Sequence, residues 1–74
     1  MIYVINHNYE QQRIEMSRLR ELKAQYPITR VYVGNKFLCV LSKANYHQIA
    51  KWMARDSYRG CVGKDGNYQI FLRR

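Results

Sequence analysis

The sequence predicts an α+β fold with the element order βαββαβ, in which two helices cover one face of a four-stranded antiparallel sheet. Three observations predict it. The 74 residues are enough for one domain, spanning residues 1–74. Runs rich in β-branched and aromatic residues alternate with two stretches whose apolar residues recur every three or four positions. Finally, "NYEQ" at 8–11 and "NYHQ" at 45–48 form an internal repeat, and each copy follows a predicted strand and opens a predicted helix.

The first strand and the first helix occupy the first third of the chain. Residues 2–6 are mostly β-branched or aromatic and predict a strand that the polar "NHN" ends. A helix is predicted from Tyr9 to about Gln25, and Pro27 ends it. Its apolar stripe consists of Met16, Leu19, Leu22 and Tyr26, and Tyr9 and Ile14 widen it.

The remaining elements follow in the order strand, strand, helix, strand. Residues 28–33 and 36–42 predict two strands, and "GN" at 34–35 suits the tight turn of a hairpin between them. A second helix is predicted from residue 45 to about 56, a loop or short ribbon over 58–67, and a last strand over 68–74. Two interleaved strand–helix–strand halves in one antiparallel sheet form the ferredoxin-like architecture.

Such a sheet leaves one face uncovered, and the alternation of side chains predicts what that face carries. Val31, Val33, Tyr68, Ile70 and Leu72 are predicted to point toward the helices. The predicted open face consists of Tyr3, Ile5 and His7 from the first strand, Arg30 and Tyr32 from the second, Phe37, Cys39 and Leu41 from the third, and Gln69, Phe71 and Arg73 from the last.

The net charge of +8 is unevenly distributed along the chain. Residues 1–26 hold four basic and three acidic residues, whereas residues 27–74 hold nine basic and two acidic ones. Such an excess indicates an anionic partner, most often a phosphate backbone, although membrane surfaces and acidic proteins also qualify. The predicted fold gathers Lys36, Arg55, Arg59 and Lys64 at one rim of the sheet, near His7. The alternative is that these basic residues form an ordinary solvated surface that binds no anionic partner.

Two segments resemble the signatures of RNA-recognition motifs. "IYVINH" is similar to the first signature, with Tyr3 at the base-stacking position and Asn6 at its Asn. "NKFLCVLS" at 35–42 is similar in place to the second, where Phe37 matches one stacking aromatic. Leu38 replaces a usually small residue, and Cys39 replaces the other aromatic. The resemblance implies a ferredoxin-like fold that binds single-stranded RNA or DNA on its open sheet face.

Other kinds of site find little support in the sequence. Cys39 and Cys61 match neither a disulfide framework nor a metal-binding pair, so no metal and no cofactor are expected. No apolar run is long enough to span a bilayer and the N-terminus lacks a signal-peptide pattern, so we expect a cytoplasmic protein. A ribonuclease using His7 or His47 alone is the enzymatic alternative, because histidine titrates near neutrality.

The sequence therefore predicts a small basic, non-enzymatic protein that binds single-stranded RNA or DNA. Its alternative is a phage-type inhibitor or modulator that docks on an acidic surface of a host protein. A second copy of the chain covering the open face is a further alternative. The predicted nucleic-acid-binding residues are Tyr3, His7, Arg30, Tyr32, Lys36, Phe37, Arg55, Arg59, Lys64, Phe71 and Arg73.

Overall fold

The computed structural model describes residues 3–73, with side chains from Tyr9 to Arg73. Two helices and four strands follow each other in the order αββαββ. The elements are α1 (Tyr3–Gln25), β1 (Thr29–Val33), β2 (Lys36–Val40), α2 (Tyr46–Arg55), β3 (Tyr58–Val62) and β4 (Tyr68–Leu72). The α+β class is confirmed, but the predicted order βαββαβ is wrong.

The four strands form one mixed sheet in the order β2-β1-β4-β3. β1 pairs with β2 and β4 pairs with β3 in antiparallel hairpins, whereas the central strands β1 and β4 run parallel. The ferredoxin-like, purely antiparallel sheet is therefore wrong. The parallel centre arises because α2 returns the chain after β2, so that β3 runs in the same direction as β2 and β4 turns back beside β1.

The predicted first strand is helix in the structure. Residues 3–6 belong to α1, which is continuous to Gln25, and Ile2 lies outside the described residues. No Gly or Pro occurs before Pro27 to interrupt the helical hydrogen-bond ladder. β-Propensity reflects packing against neighbouring strands, and here β3, from the segment predicted as loop or ribbon, completes the four-stranded sheet.

The other elements lie where the sequence predicts them. α2 falls within the predicted helix 45–56, and β1, β2 and β4 fall within the predicted strands. Gly34 has a φ of 61° in the β1–β2 turn, the conformation for which glycine was expected there. Asn45 precedes α2, but its side chain bonds the backbone of Val40 and Ser42 instead of capping the helix.

The core lies between the helices and one face of the sheet. Among the side chains from Tyr9 to Arg73, nine apolar ones are buried there: Leu19, Val31, Leu41, Tyr46, Ile49, Ala50, Met53, Ile70 and Leu72. These come from both helices, from β1 and β4, and from the residue that follows β2. The helices therefore cover one face of the sheet and leave the other open. Tyr9 and Ile14, predicted to widen the apolar stripe of the first helix, are instead exposed.

A polar contact joins α1 to the edge strand β3. Glu15 is only 2% exposed, and its carboxylate accepts a hydrogen bond of 2.9 Å from the Tyr58 hydroxyl. Arg18 lies 3.1 Å from the same carboxylate and also donates to the Tyr58 oxygen. Burial, followed by the bond to Glu15, raises the pKa of Tyr58. The contact thus ties the middle of α1 to the edge of the sheet.

Candidate functional site

Three aromatic rings lie together on the open face of the sheet. The rings of Tyr32 and Phe71 are stacked, with their centroids 5.0 Å apart and 18° between their planes. Phe37 meets Tyr32 edge-on at 5.8 Å and 74°. We call Tyr32, Phe37 and Phe71 the aromatic cluster.

Strand register places these rings side by side. Tyr32 of β1 is opposite Phe71 of the parallel strand β4 and opposite Phe37 of β2. The β1–β2 pairing shifts register between Val31 and Tyr32, so Cys39 pairs with Val31 while Phe37 pairs with Tyr32. This β-bulge turns Phe37 and Cys39 to opposite faces, although their numbers share a parity.

Phe37, Cys39 and Leu41 were all predicted to point to the open face. This prediction is correct for Phe37 and wrong for Cys39 and Leu41. Cys39 packs against the core, and its burial raises the pKa of its thiol. Leu41 is fully buried. The alternation predicted for β1 and β4 agrees with the structure, in which Val31, Ile70 and Leu72 are buried.

Two arginines accompany the aromatic cluster. The guanidinium of Arg59 lies over the Phe71 ring, 5.9 Å from its centroid, a cation–π arrangement. Arg30, beside Gln69 in the β1–β4 register, forms an ion pair of 3.2 Å with Asp65. Hydrogen bonds from Asn67, backbone first, and then the contact with Arg30 lower the pKa of Asp65. Arg30 is thus partly neutralised, whereas Arg59 has no carboxylate within salt-bridge distance among the described side chains.

The basic residues predicted at one rim are divided among three places. Lys36, Arg59 and Arg73 lie at the end of the sheet that carries the β1–β2 turn, where Arg59 and Arg73 line an open pocket of about 360 Å³ with Phe71. Lys64 lies in the β3–β4 turn at the opposite end. Arg55 lies on α2, in the helical layer, beside Asp56.

Two predicted site residues do not belong to the sheet at all. Tyr3 and His7 are helical residues near the start of α1, and their side chains lie outside the described ones. Asn6 is helical as well, so the segment that resembles the first RNA-recognition signature is not a strand. The part of the open face predicted from the first strand is therefore wrong.

The structure adds residues that the sequence reasoning missed. Leu38 and Val40 on β2 are 46% and 44% exposed, beside Phe37 at 55%. Cys61 on β3 is exposed, lies opposite Gln69 and contacts its side-chain oxygen at 3.8 Å. The signal for this strand in the sequence is weak, a short run "YRGCV" with β-favouring Tyr58 and Val62 followed by the turn residues "DG".

Within residues 3–73, the side chains that the structure describes, from Tyr9 to Arg73, include no group of three or more metal-binding residues. Over the same span, no helix has the length and hydropathy needed to cross a membrane. Comparisons with protein-family models, with curated proteins and with solved structures returned no match to this chain.

Proposed function

We propose that the protein binds single-stranded nucleic acid on the open face of its sheet. The observation that carries the proposal is the aromatic cluster itself, in which Tyr32 contacts both Phe37 and Phe71 on the helix-free face and Arg59 lies over Phe71. The net charge of +8 supports an anionic partner.

The chemistry of such a face suits unpaired bases. Aromatic rings stack on the faces of bases, and each stacked base contributes about 1–3 kcal/mol. In a duplex those faces are occupied by neighbouring base pairs, so exposed aromatic rings favour single strands. Arg59 and the basic residues around the sheet then contact phosphates, with Lys36 and Arg73 at one end and Lys64 at the other.

The first test replaces rings of the cluster one at a time. Tyr32→Ala and Phe71→Ala should each weaken binding of a fluorescent oligothymidylate by about 5- to 150-fold, the loss expected for one stacked base. Tyr9→Ala is the matched control, because Tyr9 is 62% exposed on α1 and lies away from the sheet. Circular dichroism of each variant confirms that it is folded.

The same titration, repeated across a salt series, measures the number of phosphate contacts that the protein makes. If Arg30, Lys36, Arg59, Lys64 and Arg73 neutralise roughly five phosphates, log affinity should fall against log salt with a slope near −3.5. A slope near zero, tighter binding to duplex than to single strands, or equal binding by the Tyr9 and Tyr32 variants would contradict the proposal.

Cys61 reports directly on occupancy of the face. It is exposed and lies opposite Gln69, whereas Cys39 packs against the core on the other side of the sheet. Saturating oligothymidylate should slow alkylation of Cys61 by iodoacetamide several-fold and leave Cys39 unchanged. Unchanged labelling of Cys61 at saturation would place the nucleic acid elsewhere on the protein.

A second candidate function, docking on a partner protein, is favoured by the apolar surface of β2. Phe37, Leu38 and Val40 are all substantially exposed on an edge strand, and edge strands readily pair with other chains. The basic charge would direct such docking to an acidic surface. Capture of one partner from nuclease-treated lysate, lost on Leu38→Lys, would favour this function over nucleic-acid binding.

A further inference from the structure

A second basic surface lies on the side of the molecule opposite the aromatic cluster. Arg20 and Lys23 of α1 and Lys43 before α2 line an open groove of about 550 Å³, which His47 also borders. Met16 and Tyr46 contribute to the same groove, and none of its lining residues is acidic.

A contact between the two helices links this groove to a smaller pocket. The side chain of Gln12 on α1 lies 3.1 Å from Nδ1 of His47. Gln12 also lines this smaller pocket together with Lys51 and Arg55 of α2. We call this surface the seam track, and it comprises Arg20, Lys23, Lys43, His47, Lys51 and Arg55.

The charge of the seam track is largely uncompensated. Among the described side chains the salt bridges involve Arg18, Arg30 and Arg55. Arg55 is the single track member among them, and its contact with Asp56 spans 3.7 Å between two exposed groups. Exposed pairs of this kind contribute little. Mutual repulsion among the lysine and arginine side chains of the track therefore favours an anionic ligand over an empty groove.

The spacing of the track favours an extended polyanion over a single small anion. His47, Lys51 and Arg55 follow each other at intervals of four residues on α2, which places successive groups about 6 Å apart along the helix axis. A phosphodiester backbone presents regularly repeated charges along a line. A compact anion would contact one or two of these groups and leave the others without a partner.

We infer that the seam track is a second phosphate-backbone site, so that one protein molecule holds two nucleic-acid segments on opposite sides. The inference rests on the proposed function for its ligand class, but its residues are separate from those of the sheet face. The seam track lies on the helices and the aromatic cluster lies on the open face of the sheet. The two sites are therefore on opposite sides of the molecule, because the helices cover the face opposite the aromatic cluster.

The test measures how many short strands one protein molecule binds and whether it holds two of them close together. Calorimetry with a short oligothymidylate should find two bound strands per wild-type chain and one for Lys43→Gln/Lys51→Gln. In a mixture of donor- and acceptor-labelled oligothymidylate, the wild type should produce energy transfer that this double variant loses. Sedimentation in parallel confirms that the protein is monomeric, so that transfer within one molecule is being measured.

Single substitutions provide a matched control. Lys51→Gln should make the salt dependence shallower by about 0.7 in slope, the contribution of one phosphate contact on a single strand. Arg13→Gln removes one charge from an exposed position of α1 outside the seam track and should leave the slope unchanged. Equal slopes for the two variants would overturn the inference.

The outcomes separate this inference from the proposed function. One bound strand per wild-type chain, lost in Tyr32→Ala/Phe71→Ala and kept in Lys43→Gln/Lys51→Gln, overturns the seam track and retains the sheet face. Binding that is lost only in the lysine variant supports the seam track and overturns the sheet face. Polyglutamate that displaces the oligonucleotide from the track at equal charge concentration would overturn its assignment to a phosphate backbone.

Discussion

At the scale of single residues, the Glu15 carboxylate links α1 to the edge strand β3. A buried carboxylate requires partners, and Tyr58, Arg18 and Gln11 all bond to it. In the sequence Glu15 and Arg18 look like an ordinary solvated helix pair, because they are three residues apart. The third partner, Tyr58, is 43 residues away, so nothing local to α1 reveals that this pair is buried.

Replacing the Tyr58 hydroxyl tests this contact. Tyr58→Phe should lower the free energy of unfolding by about 1 kcal/mol at neutral pH, the net contribution of one hydrogen bond. The loss stays modest because Arg18 remains next to Glu15. Urea denaturation measures the change, with Tyr9→Phe as the control at an exposed position. An effect of the same size in both variants would contradict a specific role for Tyr58.

The pH dependence of the same variant follows from the raised pKa of Tyr58. The folded protein keeps the phenol protonated at pH values where the unfolded chain, with its ordinary pKa of 10.0, already ionises. This contribution is therefore complete below about pH 10 and is lost as pH rises through the folded pKa. Above pH 10 the wild type should lose stability more steeply than Tyr58→Phe, and parallel curves would contradict this.

At the scale of elements, the sequence predicted those helices and strands whose apolar residues recur at regular spacing and whose ends carry recognisable turn residues. α2 has its apolar residues on one side, and the β1–β2 hairpin has glycine where a positive φ is required. The start of α1 was not predictable in this way, and β3 was predicted only as a loop or short ribbon. Residues 3–6 prefer strand locally, but a strand needs a neighbour, and the neighbours of a sheet are chosen by the whole chain.

Strand β3 requires a glycine at position 60, because a side chain there would collide with the ring of Tyr68. A Cβ at this position would lie 2.8 Å from Cζ of Tyr68, whose ring pairs with Tyr26 at a centroid distance of 5.1 Å. Gly60→Ala should therefore displace Tyr68 and lower the free energy of unfolding by about 1–3 kcal/mol, as overpacking does. In a Tyr68→Leu background the same substitution should cost less, since the end of the ring is gone. Equal costs in the two backgrounds, measured by urea denaturation, would contradict this explanation.

At the scale of the whole molecule, charge repulsion opposes folding. The chain carries 13 basic against five acidic residues, and the ion pairs that the described side chains form are on the surface or half-exposed, except at Glu15. Raising ionic strength from about 0.01 to 0.15 M shortens the Debye length from about 30 to 8 Å. The midpoint of thermal unfolding should therefore rise with sodium chloride over this range, and a falling midpoint would show that attractive pairs dominate.

The sequence by itself determined the α+β class, the second helix, the hairpin, the inward and outward sides of β1 and β4, and the excess of positive charge. These are local periodicities or sums over composition, and both are readable without long-range contacts. Tertiary structure decided the mixed sheet, the helical start of the chain, the bulge that separates Phe37 from Cys39, and the division of the cations between two faces. Each of these depends on which distant segments pair, because pairing between segments far apart in the chain is selected by the packing of the entire core rather than by the residues that pair.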